Sequence, residues 1–218
     1  MIHMQSPPPE CRVYTPPLLA NAMVHAIEPR PTDYWLDPCM GSGAFIAPLR
    51  KSGVPQERIV GIDIDPLSGA EDSAATTLRG IDFFDWCAST KKRFTKVVAN
   101  PPYVALCKLG ADLQKSVQQF HDSEDPSFEL RSNYWCAFLS ACLGLLKPDG
   151  SLAFVLPAAW DYALYAHRLR ERVLSSFKSV EVHRSLEPLF PKVREGRVVL
   201  LAKGYLQPKA ETIRAASA

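Results

Sequence analysis

Short apolar runs and longer stretches of helical period succeed one another along this chain, and several of the runs end in an acidic or turn-forming residue. The first run, Tyr-Trp-Leu at 34–36, passes into Asp37-Pro38-Cys39-Met40-Gly41-Ser42-Gly43 and then into a helix-compatible stretch at 44–51. A second strand is predicted at 58–63 (RIVGID), after which Pro66 suits the first turn of a helix reaching to about residue 78. Residues 81–84 and 95–99 supply strands three and four. From 103 to 134 the composition is polar with Gly and Pro and without a clear period, as in a functional connection. Residues 134–146 (YWCAFLSACLGLL) predict a strongly buried helix, stopped by a turn at Lys147-Pro148-Asp149-Gly150. Strand five follows at 151–156, a helix with basic residues on its exposed face at 161–177, and strands near 180–184 and 197–205. Strands alternating with helices predict an α/β fold, a doubly wound, mostly parallel sheet of seven strands with helices on both faces.

Composition fits that picture without changing it: 218 residues, 47% hydrophobic and 22% charged, suit one large domain. Residues 1–12, with a Pro triplet, read as a flexible lead-in, 13–206 as the domain and 207–218 as a tail. No apolar run approaches the ~18–20 residues of a membrane span, and the first residues resemble no signal peptide, so the expected location is the cytoplasm. The six cysteines show no CxxC or Cys/His spacing, which predicts reduced thiols and no metal. The formal net charge of +2 hides a division. Residues 1–159 carry 14 basic against 17 acidic side chains, a net −3, and residues 160–218 carry 11 against 6, a net +5. The basic end suits a polyanionic partner.

The chemistry gathers where strands meet loops. In Asp37-x-x-x-Gly41-x-Gly43 the glycines allow a tight turn and a close backbone approach to a ligand, and Ile46 stands where a dinucleotide fingerprint would have its third glycine. Strand, acidic residue, glycine loop and helix together resemble the cofactor loop of class I S-adenosylmethionine-dependent methyltransferases, which have a Rossmann-like sheet. Asp63 ends strand two about 20 residues after the glycines, where a carboxylate accepts from both ribose hydroxyls. Asp82 and Phe83 follow strand three, and the resemblance implies an acceptor for the adenine amino group and an aromatic packed on that ring. Taken singly each acid reads as a turn residue or a helix cap; at three successive strand ends they describe a nucleoside site.

Directly after the apolar TKVVA comes Asn100-Pro101-Pro102-Tyr103. Alone it would be a turn. After such a cofactor loop it resembles the catalytic motif of methyltransferases acting on N6 of adenine, N4 of cytosine or a glutamine amide. An exocyclic amine shares its lone pair with the ring, and two acceptors on its N–H bonds, the Asn100 side-chain oxygen and the Pro101 carbonyl, would free that pair for the methyl. Pro101 and Pro102 stiffen the loop, and Tyr103 would stack on a base taken out of its helix.

Upstream, Val13-Tyr14-Thr15-Pro16-Pro17 before an apolar-periodic helix (LLANAMVHAI) resembles the N-terminal motif of gamma-type N6-adenine DNA methyltransferases, where the segment folds over the methionine end of the cofactor. Thr15 is then a cofactor contact. Downstream, Phe190 is the matching candidate for a second stacking face, with Lys192, Arg194 and Arg197 for nucleic acid. The resemblance spans roughly residues 13–205 and leaves 13 residues where a target-recognition domain is expected, which points to a separate recognition subunit or domain. It implies methyl transfer to DNA, and an rRNA base methyltransferase, a glutamine-directed protein methyltransferase and a catalytically silent binding subunit stand as alternatives. The intact glycine loop and Asn-Pro-Pro-Tyr oppose the last.

Overall fold

The computed structural model describes residues 14–68, 76–124, 132–184 and 196–206. Seven strands form one sheet: β1 (Trp35–Asp37), β2 (Ile59–Asp63), β3 (Thr76–Arg79), β4 (Phe94–Ala99), β5 (Leu146–Pro157), β6 (Phe177–Arg184) and β7 (Arg197–Tyr205), in spatial order β3-β2-β1-β4-β5-β7-β6. β1 to β5 are joined by parallel pairings, and β7 runs antiparallel to both β5 and β6. The mostly parallel expectation therefore holds, with one reversed strand making the sheet mixed.

Side chains alternate across the sheet. Val97, Ala99, Leu152, Phe154, Leu156, Val198 and Leu200 face one core, whereas Val98, Ala153, Val155, Val199 and Leu201 face the other. The second core is closed by α1 (Pro17–Ala26) and α2 (Ile46–Lys51), through Ala20, Met23, Val24 and Leu49. The first is closed by α3 (Phe83–Ser89), α4 (Ala111–Glu124), α5 (Tyr134–Leu145), α6 (Ala159–Tyr162) and α7 (His167–Ser176). Burial on both faces explains why the central strands read as continuous apolar runs.

Four expectations are corrected. Strand three is Thr76–Arg79, and not 81–84, because Asp82 accepts from the backbone N–H groups of Phe84 and Asp85 and so starts a helix at Phe83. The same strand ends the helix expected to run on to residue 78, whose segment 69–75 lies outside the described residues. The aperiodic stretch contains α4, whose inward stripe is Leu113, Ser116, Val117, Phe120 and His121; two polar members broke its apolar period. The helix expected over 161–177 divides at Ala163, which is extended, into α6, a 3-10 turn and α7.

The turn at 147–150 is a bulge inside β5: Phe94 pairs with Leu146 and Lys96 with Ser151, so three more residues lie on β5 than on β4 between these pairs. Asp149 takes a positive φ of 60° there. A Cβ on Gly150 would stand 2.8 Å from the Lys147 carbonyl oxygen and 3.2 Å from that of Thr95. Gly150→Ala is accordingly expected to lower stability by about 2 kcal/mol, since backbone and not a soft side chain must move. Denaturant melts measure this, and an unchanged midpoint would mean that the bulge relaxes freely.

Among the described residues no helix is long and apolar enough to cross a membrane, and no cluster of His, Cys, Asp or Glu has the grouping of a metal site.

Candidate active site

The strand order reverses between β1 and β4, so the loops leaving their carboxyl ends diverge and open a crevice, the usual ligand site of such sheets. The first loop begins at Asp37 and turns through Gly41 and Gly43, at φ values of 51° and 78° that side-chain-bearing residues adopt with strain. Its shape is held from β2. Asp63 Oδ2 accepts from the Gly41 N–H at 2.8 Å, Asp63 Oδ1 accepts from the Asp65 N–H at 2.8 Å, and the Met40 N–H donates to the Ile62 carbonyl at 2.9 Å. The Met40 side chain lies over Gly61, where an added Cβ would meet the Met40 sulfur at 2.7 Å. The Asp63 carboxylate thus has a role inside the protein besides any ligand it meets.

Asp37 is 1% exposed, and its Oδ1 takes only a long bond from the Cys39 N–H at 3.3 Å. Oδ2 has no hydrogen-bond partner. Burial, offset by the Cys39 N–H and reinforced by the negative charge of Asp63, pushes its carboxyl up to about 8. The folded chain then keeps a proton that the unfolded chain releases above about pH 4. Stability from this group is full at low pH and is lost as pH rises through 8. Melting temperatures at pH 5 and 8 should therefore fall further in the wild type than in Asp37→Asn, and an identical fall in both would remove Asp37 from this account.

The second loop is Asn100-Pro101-Pro102-Tyr103. Asn100 Nδ2 donates to Thr15 Oγ1 at 3.1 Å, the Tyr103 hydroxyl donates to Asn100 Oδ1 at 3.3 Å, and a backbone hydrogen bond joins Asn100 to the Cys39 thiol. The last contact couples the glycine loop to the second loop. Beyond Tyr103 the Tyr134 N–H donates to the Val104 carbonyl at 2.7 Å, which ties the loop to the start of α5. The Arg197 guanidinium lies 5.0 Å from the centre of the Tyr103 ring. Tyr14 lies against the glycine loop, 3.9 Å from where a Gly41 Cβ would be.

The fold thus brings together Thr15, Asp37, Gly41, Gly43, Asp63, Asn100, Tyr103 and Arg197, which come from five separate stretches of sequence. Asp82 and Phe83 are engaged within the protein. Asp82 is 3% exposed; Oδ1 caps α3 and Oδ2 accepts from the Ser116 hydroxyl at 3.2 Å, with burial raising its carboxyl. Phe83 stacks face to face on Phe138, 5.1 Å between centres and 5° between planes. Arg197, expected to meet nucleic acid, is 8% exposed and packs on Tyr103, because β7 starts beside the Pro157 end of β5. Phe190, Lys192 and Arg194 lie outside the described residues. The Thr15–Asn100 bond was invisible in sequence, since nothing local marks a contact across 85 positions.

The chain is similar to known proteins in sequence and in fold. The type II methyltransferase M.TthHB8I of Thermus thermophilus is 29% identical over 157 residues, 68% of this chain and 35% of that protein. The chain thus spans about a third of the length of that relative. Among solved structures, a Listeria monocytogenes protein described as a class I S-adenosylmethionine-dependent methyltransferase has a TM-score of 0.66 at 18% identity, covering 89% of this chain and 62% of its own. The methyltransferase subunit of a type I restriction-modification system from Streptococcus thermophilus has a TM-score of 0.65 at 23% identity, covering 88% and 44%. Both show the class I methyltransferase fold. The model of the Eco57I restriction-modification methylases matches residues 57–187, 131 of the 218, from the turn before β2 through the Asn-Pro-Pro-Tyr loop and β6, and the chain belongs to that family.

Proposed function

We propose that this chain transfers a methyl group from S-adenosylmethionine to an exocyclic amino group, N6 of adenine in DNA. The observation that carries the reading is Asn100, immediately behind β4 at the reversal of strand order, held between Thr15 and Tyr103 beside the glycine loop. Membership of a restriction-modification methylase family supports DNA as the substrate.

S-adenosylmethionine is the cofactor of this fold and family, and when bound it supplies an electrophilic methyl group on a positively charged sulfur. The residues present fit it. The buried, partnerless Asp37 carboxyl would give up its proton to face a cationic ligand, and Gly41 and Gly43 keep side chains out of the loop. The Asp63 carboxylate, which already shapes the loop through the Gly41 and Asp65 N–H groups, lies where a ribose would meet an acceptor. Tyr14 supports the expectation that the N-terminal segment covers the methionine end. Asp82 and Phe83 would shape the adenine end through the start of α3.

On the substrate side, Asn100 Oδ1 and the Pro101 carbonyl accept the two N–H bonds of the target amine, which returns its lone pair to nitrogen. The Tyr103 hydroxyl occupies Oδ1 through a long bond that a closer donor displaces. With Arg197 over one face of the Tyr103 ring, the base stacks on the other, and Phe190 supplies the opposing face. Lys192 and Arg194 meet phosphates. A partner subunit or further domain selects the sequence.

The test is to incubate the protein with isotopically labelled S-adenosylmethionine and genomic DNA, total RNA or protein, then digest and identify the methylated atom by mass spectrometry. N6-methyladenine in DNA is expected. Label confined to RNA bases or to glutamine would overturn the substrate assignment.

A further inference from the structure

Resting on that reading, a further role falls to Thr15. We propose that Thr15 is a positioning residue, whose hydroxyl fixes the Asn100 carboxamide so that Oδ1 faces the incoming amine. The amide torsion of an asparagine is broad, and an unheld carboxamide also presents its own N–H groups to a substrate that is itself a donor. Here Nδ2 is engaged by Thr15 Oγ1 at 3.1 Å, which leaves Oδ1 on the side of Tyr103.

The hydroxyl is well anchored for this purpose. Thr15 is 8% exposed, so water is a poor substitute for it. The Pro16 carbonyl accepts from the Ala20 N–H at 2.9 Å as α1 begins, and Ala20, Met23 and Val24 of that helix are at most 2% exposed in the core with Trp35, Val98 and Val155. The packing of α1 on the sheet therefore sets where Oγ1 stands, and the carboxamide is oriented from the segment that leads into that helix. On this account a threonine that the sequence assigns to the cofactor acts on the substrate side.

The two roles separate kinetically. In Thr15→Val, single-turnover methyl transfer to adenine-containing DNA at saturating cofactor is expected to fall roughly tenfold, the worth of one hydrogen bond in a desolvated site. Cofactor affinity by calorimetry and the melting temperature should stay near wild type, and Thr15→Ser should restore the rate. A loss confined to cofactor KM, or no loss, overturns the assignment.

A second readout does not depend on turnover. The chain has three asparagines, Asn21, Asn100 and Asn133, so the Asn100 side-chain amide pair is identified in spectra of nitrogen-labelled protein by its disappearance in Asn100→Ala. The pair should shift in Thr15→Val and return in Thr15→Ser, and an unmoved pair overturns the proposal. Wild-type transfer by Asn100→Ala would instead sink the methyl-transfer mechanism and leave the Thr15 bond a tie in the fold, an outcome distinct from failure at Thr15 alone.

Discussion

Replacing Asn100 with alanine is expected to lower the rate of methyl transfer by about 10²–10³ while leaving cofactor affinity within about twofold of wild type, the size seen when one preorganised polar group is removed from the reacting atoms. Only the side chain is lost: the Pro101 carbonyl, the backbone hydrogen bond to Cys39 and the proline-stiffened course of the loop persist. The change removes the bonds that Asn100 makes with Thr15 and Tyr103, and the amine loses one of its two acceptors. Rapid-quench assays with saturating cofactor measure the rate, and calorimetry measures the affinity. Turnover within a few-fold of wild type would exclude the carboxamide from the reaction.

Asp63→Ala should act in the opposite way, weakening cofactor binding about 100-fold and lowering stability by about 3 kcal/mol or more. The carboxylate accepts from the Gly41 N–H and the Asp65 N–H, both at 2.8 Å, and hydrogen bonds to a charged group contribute ~1.5–3 kcal/mol each. Removing it releases the glycine loop before any ribose is considered, so two losses combine in one measurement. Asp63→Asn separates them. It keeps one acceptor oxygen and presents N–H groups where the carboxylate accepted, so an affinity between wild type and Asp63→Ala indicates that acceptor geometry dominates. Calorimetric titration with S-adenosylmethionine gives the numbers, and unchanged affinity in Asp63→Ala would remove Asp63 from the cofactor site.

The sequence made legible those parts of the fold in which one period rules. β1, β2 and β4, the apolar helix α5 and the closing pair β6 and β7 all stand close to their expected places; the central strands read clearly because they are buried on both faces, and the edge strand β6 because it carries β-branched residues at 180 and 182. The misreadings cluster where a polar side chain does a backbone task. Asp82 turned an expected strand into a helix start, and Ser116 and His121 put polar residues on the inward stripe of α4. At the site, Asp37, Gly41, Gly43, Asp63 and Asn100 were marked by their position after strands, a local signal. The arrangement of Thr15 on Asn100 and of Arg197 on Tyr103 was not marked, since each depends on how distant elements pack. Arg197 is the instructive case: its place in a basic run marked it for nucleic acid, and nothing local marked the buried strand start that sets it on Tyr103.

The single reversed strand has a further consequence. β6 ends at Arg184 and β7 begins at Arg197, and because β7 points the opposite way from its neighbours, both anchor points stand at the edge of the sheet where Asn100 and Tyr103 lie. Arg197, the first residue of β7, is thereby set beside the Tyr103 ring, while the parallel pairings from β1 to β5 do not depend on it. Substitutions at this end of β7 therefore act on the Asn100–Tyr103 loop from outside the parallel half of the sheet.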